Sequence, residues 1–275
     1  MNHAFVIPVY RTAPHLEALV ASLKAQVGPR SEILLTTSTA SAELHAFATR
    51  HTLPLYVNPQ RLDIAADWNF ALSATHAELV TLAHQDDMFA PGYVAELTQA
   101  LHRHPGALLA FCDYCEHTPA GARPLNLNLR VKRLLCRRAF GPKECLTDTS
   151  QKLRLLSLGN PICCPSVMLD RRELGAFRFP AGFHTNLDWM AWIELSRRSG
   201  GFVYLRKSLL SKGIHNGSET TATIANRARQ REDRQLFEYF WPRPVAATLA
   251  AIYRLGYYGN RLKLSELAEA DARHS

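Results

Sequence analysis

Two aspartates stand side by side at Asp86 and Asp87, directly after the run Glu78-Leu-Val-Thr-Leu-Ala83, in the stretch His84-Gln85-Asp86-Asp87. Adjacent carboxylates at a strand end repel each other unless a cation or hydrogen-bond donors compensate. A divalent metal is one such cation. Mg²⁺ or Mn²⁺ takes oxygen ligands, often one or two carboxylates plus substrate phosphates, and neutralises charge developing on a departing diphosphate. The competing reading is a solvated turn in which Asp87 caps the helix opened by Pro91. His215, within Ile214-His215-Asn216-Gly217-Ser218, lies in a turn-rich loop, where an imidazole either completes a metal shell or is an ordinary surface side chain. Asp188 opens the helix containing Trp189, Trp192 and Leu195. There it complements the helix dipole or, facing a crevice, accepts a proton from a hydroxyl.

These residues need a frame, and the first hundred positions supply one by alternating short apolar runs with amphipathic stretches. Phe5 to Val9, Ile33 to Leu35, Leu53 to Val57 and Glu78 to Ala83 read as strands. Between them, Leu16, Leu19, Val20 and Leu23, then Leu44, Phe47 and Ala48, then Ala65 to Ala74, read as helices. The order predicts an α/β fold with a mostly parallel sheet flanked by helices, and it places Asp86-Asp87 at a strand's carboxyl end, where such sheets bind ligands. A helix from Pro91 to about His102 and a strand from Leu108 to Cys112 follow, and the sheet is expected to end near there. Residues 117–160, rich in Pro, Gly, Asn and basic side chains, read as an irregular or part-helical acceptor-side region. Val167 to Leu169 and Phe202 to Leu205 read as strands flanking a helix from about Leu187 to Arg198, with helix again from about Ala222.

Composition excludes several classes. Hydrophobic residues at 47% and charged residues at 20% of 275 are those of a globular protein large enough to bury a core without disulfides. The first residues carry no secretory signal pattern and no run approaches a spanning helix, so the expectation is a cytoplasmic protein, with a peripheral position at the inner membrane face as an option. Its six cysteines are then expected to be reduced, buried or half-buried thiols. The net charge of +8 is uneven: residues 1–122 hold 6 basic and 11 acidic side chains, residues 123–154 hold 9 and 2. Without a recognition helix or stacking-aromatic motif, this favours phosphate-bearing small molecules or an anionic membrane face over nucleic acid.

Taken in order, the motifs resemble those of the family 2 glycosyltransferases, inverting enzymes of the GT-A fold. Phe5-Val6-Ile7-Pro8-Val9-Tyr10 resembles the opening strand, Asn58 with Ala66-Asp67-Trp68-Asn69-Phe70-Ala71 the Asn-rich helix, and His84 to Pro91 the acidic metal motif. Pro165-Ser166-Val167-Met168 resembles the acceptor-side strand, Asp188 the catalytic Asp, and Ile214 to Ser218 the late His-x-x-Ser loop. The resemblance implies a GT-A domain over residues 1–220 (1–116 binding the nucleotide sugar, 117–220 the acceptor) and a C-terminal helical extension over 221–275. It implies a nucleotide-diphosphate sugar donor and a saccharide or lipid-linked acceptor in cell-surface polysaccharide or glycolipid synthesis. Asp188 would be the catalytic base, Asp86 and His215 would hold Mn²⁺ or Mg²⁺, and Pro8, Tyr10, Thr36, Thr37, Asp67, Asn69, His84, Gln85, Asp86 and Asp87 would contact the donor.

Two departures stand out. Leu35-Thr36-Thr37-Ser38 replaces the usual Asp for the nucleotide base, so hydroxyls would take its place, and His84 replaces the first Asp of the metal motif. A nucleotide-sugar-binding or scaffold protein with impaired transfer is the alternative reading. A dinucleotide-dependent oxidoreductase is disfavoured, because Pro8-Val9-Tyr10-Arg11-Thr12 stands where a glycine cradle would follow the first strand.

Overall fold

The computed structural model describes residues 1–10, 15–60, 63–118, 121–122, 126–214 and 228–255. The first half is a run of strand-helix units: β1 (His3–Pro8), α1 (Leu16–Lys24), β2 (Glu32–Thr37), α2 (Ala42–His51), β3 (Leu55–Val57), α3 (Ile64–Ser73) and β4 (Leu79–Leu82). Each helix has an identifiable local cause. In α1 the apolar Leu16, Leu19, Val20 and Leu23 recur on one face and are buried there. Ser41 caps α2 by accepting the Leu44 N–H, and Asp63 caps α3 by accepting the Ala66 N–H. β1 is buried on both sides, with Ala4 and Val6 in one core and Phe5 and Ile7 in the other, as the two-residue period of a strand requires. It pairs in parallel with β2 and β4, and β2 pairs in parallel with β3.

The second half extends the same sheet. β5 (Met88–Phe89), α4 (Tyr93–Arg103), β6 (Ala107–Thr118) and β7 (Gly121–Ala122) are followed by α5 (Leu127–Phe140), β8 (Cys145–Leu146) and α6 (Thr149–Leu156). Then come β9 (Val167–Asp170), α7 (Arg171–Leu174), α8 (Leu187–Ser196), β10 (Gly201–Gly213) and α9 (Ala228–Phe240), with a last helix over 243–255. The strand order is β3-β2-β1-β4-β9-β6-β10-β5, with β7 on β6 and β8 on β10. β9 runs antiparallel between β4 and β6, whereas β6 and β10 are parallel to each other. The expected α/β class with a helix-flanked sheet is borne out. The expected end of the sheet near Cys112 is not: β6 continues to Thr118, and β9, β10 and the short β5, β7 and β8 join it. The strands read at Val167 to Leu169 and Phe202 to Leu205 are β9 and the first part of β10, whereas patterning missed the short β5 and β8, whose partner β10 lies far along the chain, Leu210 opposite Phe89 being one case.

Smaller boundaries also move. Pro91 lies before α4, whose N-cap is Gly92, so Asp87 does not cap that helix. Residues 117–160 contain two regular helices, α5 and α6, capped by Asn126 and Asp148. The junction expected at residues 220–221 lies outside the described residues. All six cysteines are free and buried or half-buried. Among the described residues no helix is long and apolar enough to cross a membrane.

His3 gives the fold a pH sensitivity. Its imidazole is buried between the Ser31 hydroxyl (2.8 Å) and the Thr81 hydroxyl (3.1 Å), and burial pushes its pKa down to about 3. As pH falls, the unfolded chain, with an ordinary imidazole near 6.5, takes up this proton first. The contribution of neutral His3 is therefore complete above pH about 6.5 and is lost between there and about 3. His3→Asn should flatten the fall of stability with acid by up to about 1.4 kcal/mol per pH unit in that window. Denaturant melts from pH 7 to 4 check this, and an unchanged slope would remove His3 as the cause.

Candidate active site

The strand order reverses direction between β1 and β4, and the loops leaving their carboxyl ends meet there. After β1, the Val9 N–H donates to Thr36 O (2.7 Å) and the Tyr10 N–H donates to Gln85 Oε1 (3.1 Å), so Gln85 ties the β1 exit to the β4 exit. His84 to Asp87 close a turn, with the Asp87 N–H on the His84 carbonyl. The chain then pairs at once with β10 through β5.

That pairing brings the far end of β10 against the two aspartates. The Gly213 N–H donates to Asp87 Oδ1 (3.1 Å). Gly213 has space for no side chain, since a Cβ there would overlap the Asp86 carbonyl oxygen. Asp87 is buried at 1% exposure, which excludes the solvated turn. Burial, and after it the neighbouring Asp86, raises its pKa, while Lys212 and the Gly213 N–H oppose the rise. Lys212, next to Gly213 on β10, lies within electrostatic range of the carboxylate pair. Burial works against its charge, but Cys163, Asp87, Asp86 and Asp188 outweigh this and raise its pKa.

Asp188 belongs to the same electrostatic neighbourhood. It lies in the first turn of α8 as expected, but it is not a free dipole complement on a solvated surface. Its Oδ1 accepts the Trp189 N–H (2.8 Å) and its Oδ2 accepts the Asn160 amide (2.9 Å). Burial raises its pKa; Lys132, the Trp189 N–H, Lys212 and Arg229 oppose that. The α8 N-terminus is fixed by Glu232 of α9, whose carboxylate accepts the N–H groups of His184, Thr185 and Asn186 and the Thr185 hydroxyl. Anchoring a carboxylate at a helix start satisfies otherwise orphaned donors and complements the dipole.

The remaining candidates divide. His84 packs its ring 5.2 Å from Trp68, and burial lowers its pKa to about 4, so it is neutral near pH 7. Asp67 is held at the β2 and β3 exits, accepting from the Ser38 hydroxyl (2.8 Å) and the Asn58 amide (3.0 Å). Thr36 and Thr37 are buried within β2, and the Thr37 hydroxyl accepts the Thr39 N–H (3.0 Å). Asn69 exchanges two hydrogen bonds with the Phe179 backbone, at 2.9 and 2.7 Å, which pins the loop before α8. Pro8 sits in register with Thr36. His215 lies outside the described residues.

The donor set suits a hard divalent cation. Asp87 Oδ2 is buried with no hydrogen-bond partner among the described residues, and Asp86 stands beside it. Among the described residues no three His, Cys, Asp or Glu side chains converge on one point. A cation whose shell is completed by phosphate oxygens and water needs only one or two carboxylates.

The family model described as Glycosyl transferase family 2 matches residues 4–174, more than half of the chain. The chain belongs to this family. No curated protein matches the family 2 chain significantly. Among solved structures it is similar to the mannosyltransferase PcManGT of Pyrobaculum calidifontis in complex with GDP-Man and Mn²⁺ (16% identity, TM-score 0.63, 99% of this chain and 74% of that one). It is similar to S. aureus TarS 1-349 (12% identity, TM-score 0.62, 91% and 70% covered). It is also similar to glucosyl-3-phosphoglycerate synthase of Mycobacterium tuberculosis in complex with Mn²⁺ and UDP-glucose (15% identity, TM-score 0.57, 86% and 78% covered). At these identities the likeness is one of fold.

Sequence reasoning missed Lys212, Lys132, Asn160 and Gly213 in this family 2 chain. Lys212-Gly213 stands just before the loop singled out for His215, so proximity was a usable signal. Asn160 and Lys132 had none beyond lying in the basic acceptor-side region. Gly213→Ala should cost about 1 to 3 kcal/mol, as overpacking does, and should displace the Asp86 turn. Loss of nucleotide affinity beyond the loss of melting temperature is the expected result, and an unperturbed variant would show that the contact relaxes freely.

Proposed function

We propose that this family 2 glycosyltransferase moves a sugar from a nucleotide-diphosphate donor to an acceptor hydroxyl, with inversion, with Asp188 as base and Asp86 on the metal. The observation that carries the reading is the turn after β4 at the β1–β4 switch point, where the buried Asp87 carboxylate holds the Gly213 N–H with one oxygen and has no hydrogen-bond partner for the other among the described residues. Two of the solved structures named above contain GDP-Man with Mn²⁺ and UDP-glucose with Mn²⁺, and another TarS structure contains UDP-GlcNAc, which supports a nucleotide-sugar donor.

Each residue then has a task. Asp67, oriented by Ser38 and Asn58, offers a carboxylate to the nucleotide where the family's usual Asp is replaced by Thr36-Thr37, and Tyr10 and Gln85 frame the donor between the two loops. Asp86, with His215 as a further ligand or diphosphate contact, would hold Mn²⁺ or Mg²⁺, which neutralises charge on the departing diphosphate. Asp87 keeps Gly213 in place and shares the charge of Lys212. Asp188 takes the acceptor hydroxyl proton, the freed oxygen pair bonds to the anomeric carbon, and the bond to the diphosphate oxygen breaks with its electrons on the diphosphate. Asn160 aims that carboxylate. A carboxylate whose pKa burial has raised is a stronger base toward a hydroxyl. Residues 117–220 would receive a saccharide or lipid-linked acceptor of cell-surface polysaccharide or glycolipid synthesis, with the enzyme at the cytoplasmic face.

Asp86→Asn should abolish the Mn²⁺-dependent stabilisation by UDP or GDP in a thermal-shift titration while leaving the apo melting temperature nearly unchanged. Equal metal-dependent nucleotide affinity in both proteins would refute the assignment. Asp188→Asn should keep donor binding and lower transfer by about 10² to 10⁴. In the wild type, kcat/KM should fall with acid through an apparent pKa raised from the ordinary aspartate value by burial, because Asp188 is active only when deprotonated. Near-normal turnover of the variant would remove Asp188 from the mechanism, whereas wild-type protein that binds the donor without transferring its sugar would leave a nucleotide-sugar-binding scaffold as the better reading.

A further inference from the structure

We propose that the outward face of α5 docks the protein onto an anionic lipid bilayer, with Leu127, Val131 and Leu134 entering the interface and Arg130, Arg137 and Arg138 pairing with lipid phosphates. α5 has two distinct sides. The inner side buries Leu129, Cys136 and Phe140, the Arg133 guanidinium donates to the Tyr114 carbonyl (2.8 Å), and the Lys132 ammonium lies 5.7 Å from the Tyr114 ring centroid. On the outer side the spacing i, i+4, i+7 brings together Leu127 at 76%, Val131 at 45% and Leu134 at 63% exposure. The exposed Arg130, Arg137 and Arg138 continue and flank that stripe, and α5 carries no acidic residue.

A solvated surface helix does not need this pattern. Aliphatic side chains at three successive contact positions form a contiguous apolar strip, and strips of this kind mark a partner. Charge identifies the partner. A second copy packed symmetrically on this face would oppose arginine to arginine, which costs free energy. A nucleic acid would engage the arginines but leave the aliphatic strip in water. An anionic leaflet accepts both, since apolar residues sink to the acyl boundary while guanidinium groups meet the phosphates. The placement of α5 agrees with this. Lys132, on its inner side, lies within electrostatic range of Asp188, so a docked α5 sets the bilayer on the acceptor side of the candidate base. That orientation rests on the functional reading above; the docking does not.

The test is sedimentation of the full chain with phosphatidylcholine vesicles, with and without phosphatidylglycerol, over a range of salt and with no nucleotide present, so failure of the transferase reading leaves the result intact. Binding to the anionic vesicles alone, weakened by salt, is expected. Replacing Arg130, Arg137 and Arg138 together by Gln should weaken it about a hundredfold, roughly fivefold per arginine, and flatten the salt dependence. Leu127→Ser with Leu134→Ser should weaken it about tenfold while leaving the salt dependence in place. All five side chains are exposed, so melting temperatures should match the wild type. Equal binding to neutral vesicles, no binding at low salt, or full binding by the leucine variant would overturn the proposal. So would a concentration-dependent dimer that only the leucine variant loses, because it would assign the strip to a second copy.

Discussion

The structure depends on one close approach, that of the end of β10 to the turn after β4. Gly213 gives its N–H to a fully buried Asp87 carboxylate and lies so near the Asp86 carbonyl that a single added carbon would collide with it. A buried carboxylate with one unanswered oxygen is expensive unless donors and a cation stand close. The chain meets that demand with residues some 126 positions away in sequence. The long parallel pair of β6 and β10, bent by register shifts near Leu205 and Ser208, delivers Lys212 and Gly213 to the same point as Asp86 and Asp87. The two halves of the sheet are thereby joined by a charge constraint as well as by ladder hydrogen bonds.

Charge compensation organises the rest of the crevice. Lys212 lies within electrostatic range of Asp86, Asp87 and Asp188, and Lys132 and Arg229 add positive charge near Asp188. His84 and Asp67 vary the same theme. A neutral imidazole packed at a tilt against Trp68 precedes the two aspartates, and a carboxylate on α3 stands beside Ser38 at the β2 exit, where the chain order places only hydroxyls.

Positioning of the candidate base is distributed over three separate segments. Asn160 holds the Asp188 carboxylate, Asn69 pins the loop at Phe179, and Glu232 gathers the three N–H groups of the segment that leads into α8. Burial of Trp189, Trp192 and Phe237 sets the helix that these polar contacts aim. Precise placement of a base within a hydrogen bond of its substrate needs such support, because a small misplacement forfeits much of the rate.

The sequence by itself determined the parts that are local. Apolar periodicity set β1 to β4 and the helices between them, and the strand-end location of Asp86 and Asp87 followed from that alternation. Asp188 in a first turn was legible from its helix, and the order of weak motifs identified the family. Tertiary structure alone decided what depends on distant partners: the sheet beyond Cys112, the burial of Thr36 and Thr37, the burial of Asp87 that excludes a solvated turn, and the recruitment of Lys212, Asn160 and Gly213. A two- or three-residue strand such as β5 or β8 has too few positions to show a period and exists because β10 lies beside it. The ionic balance of the crevice likewise follows from which carboxylates share a desolvated space with which cations, and residue spacing along a chain carries no record of that space.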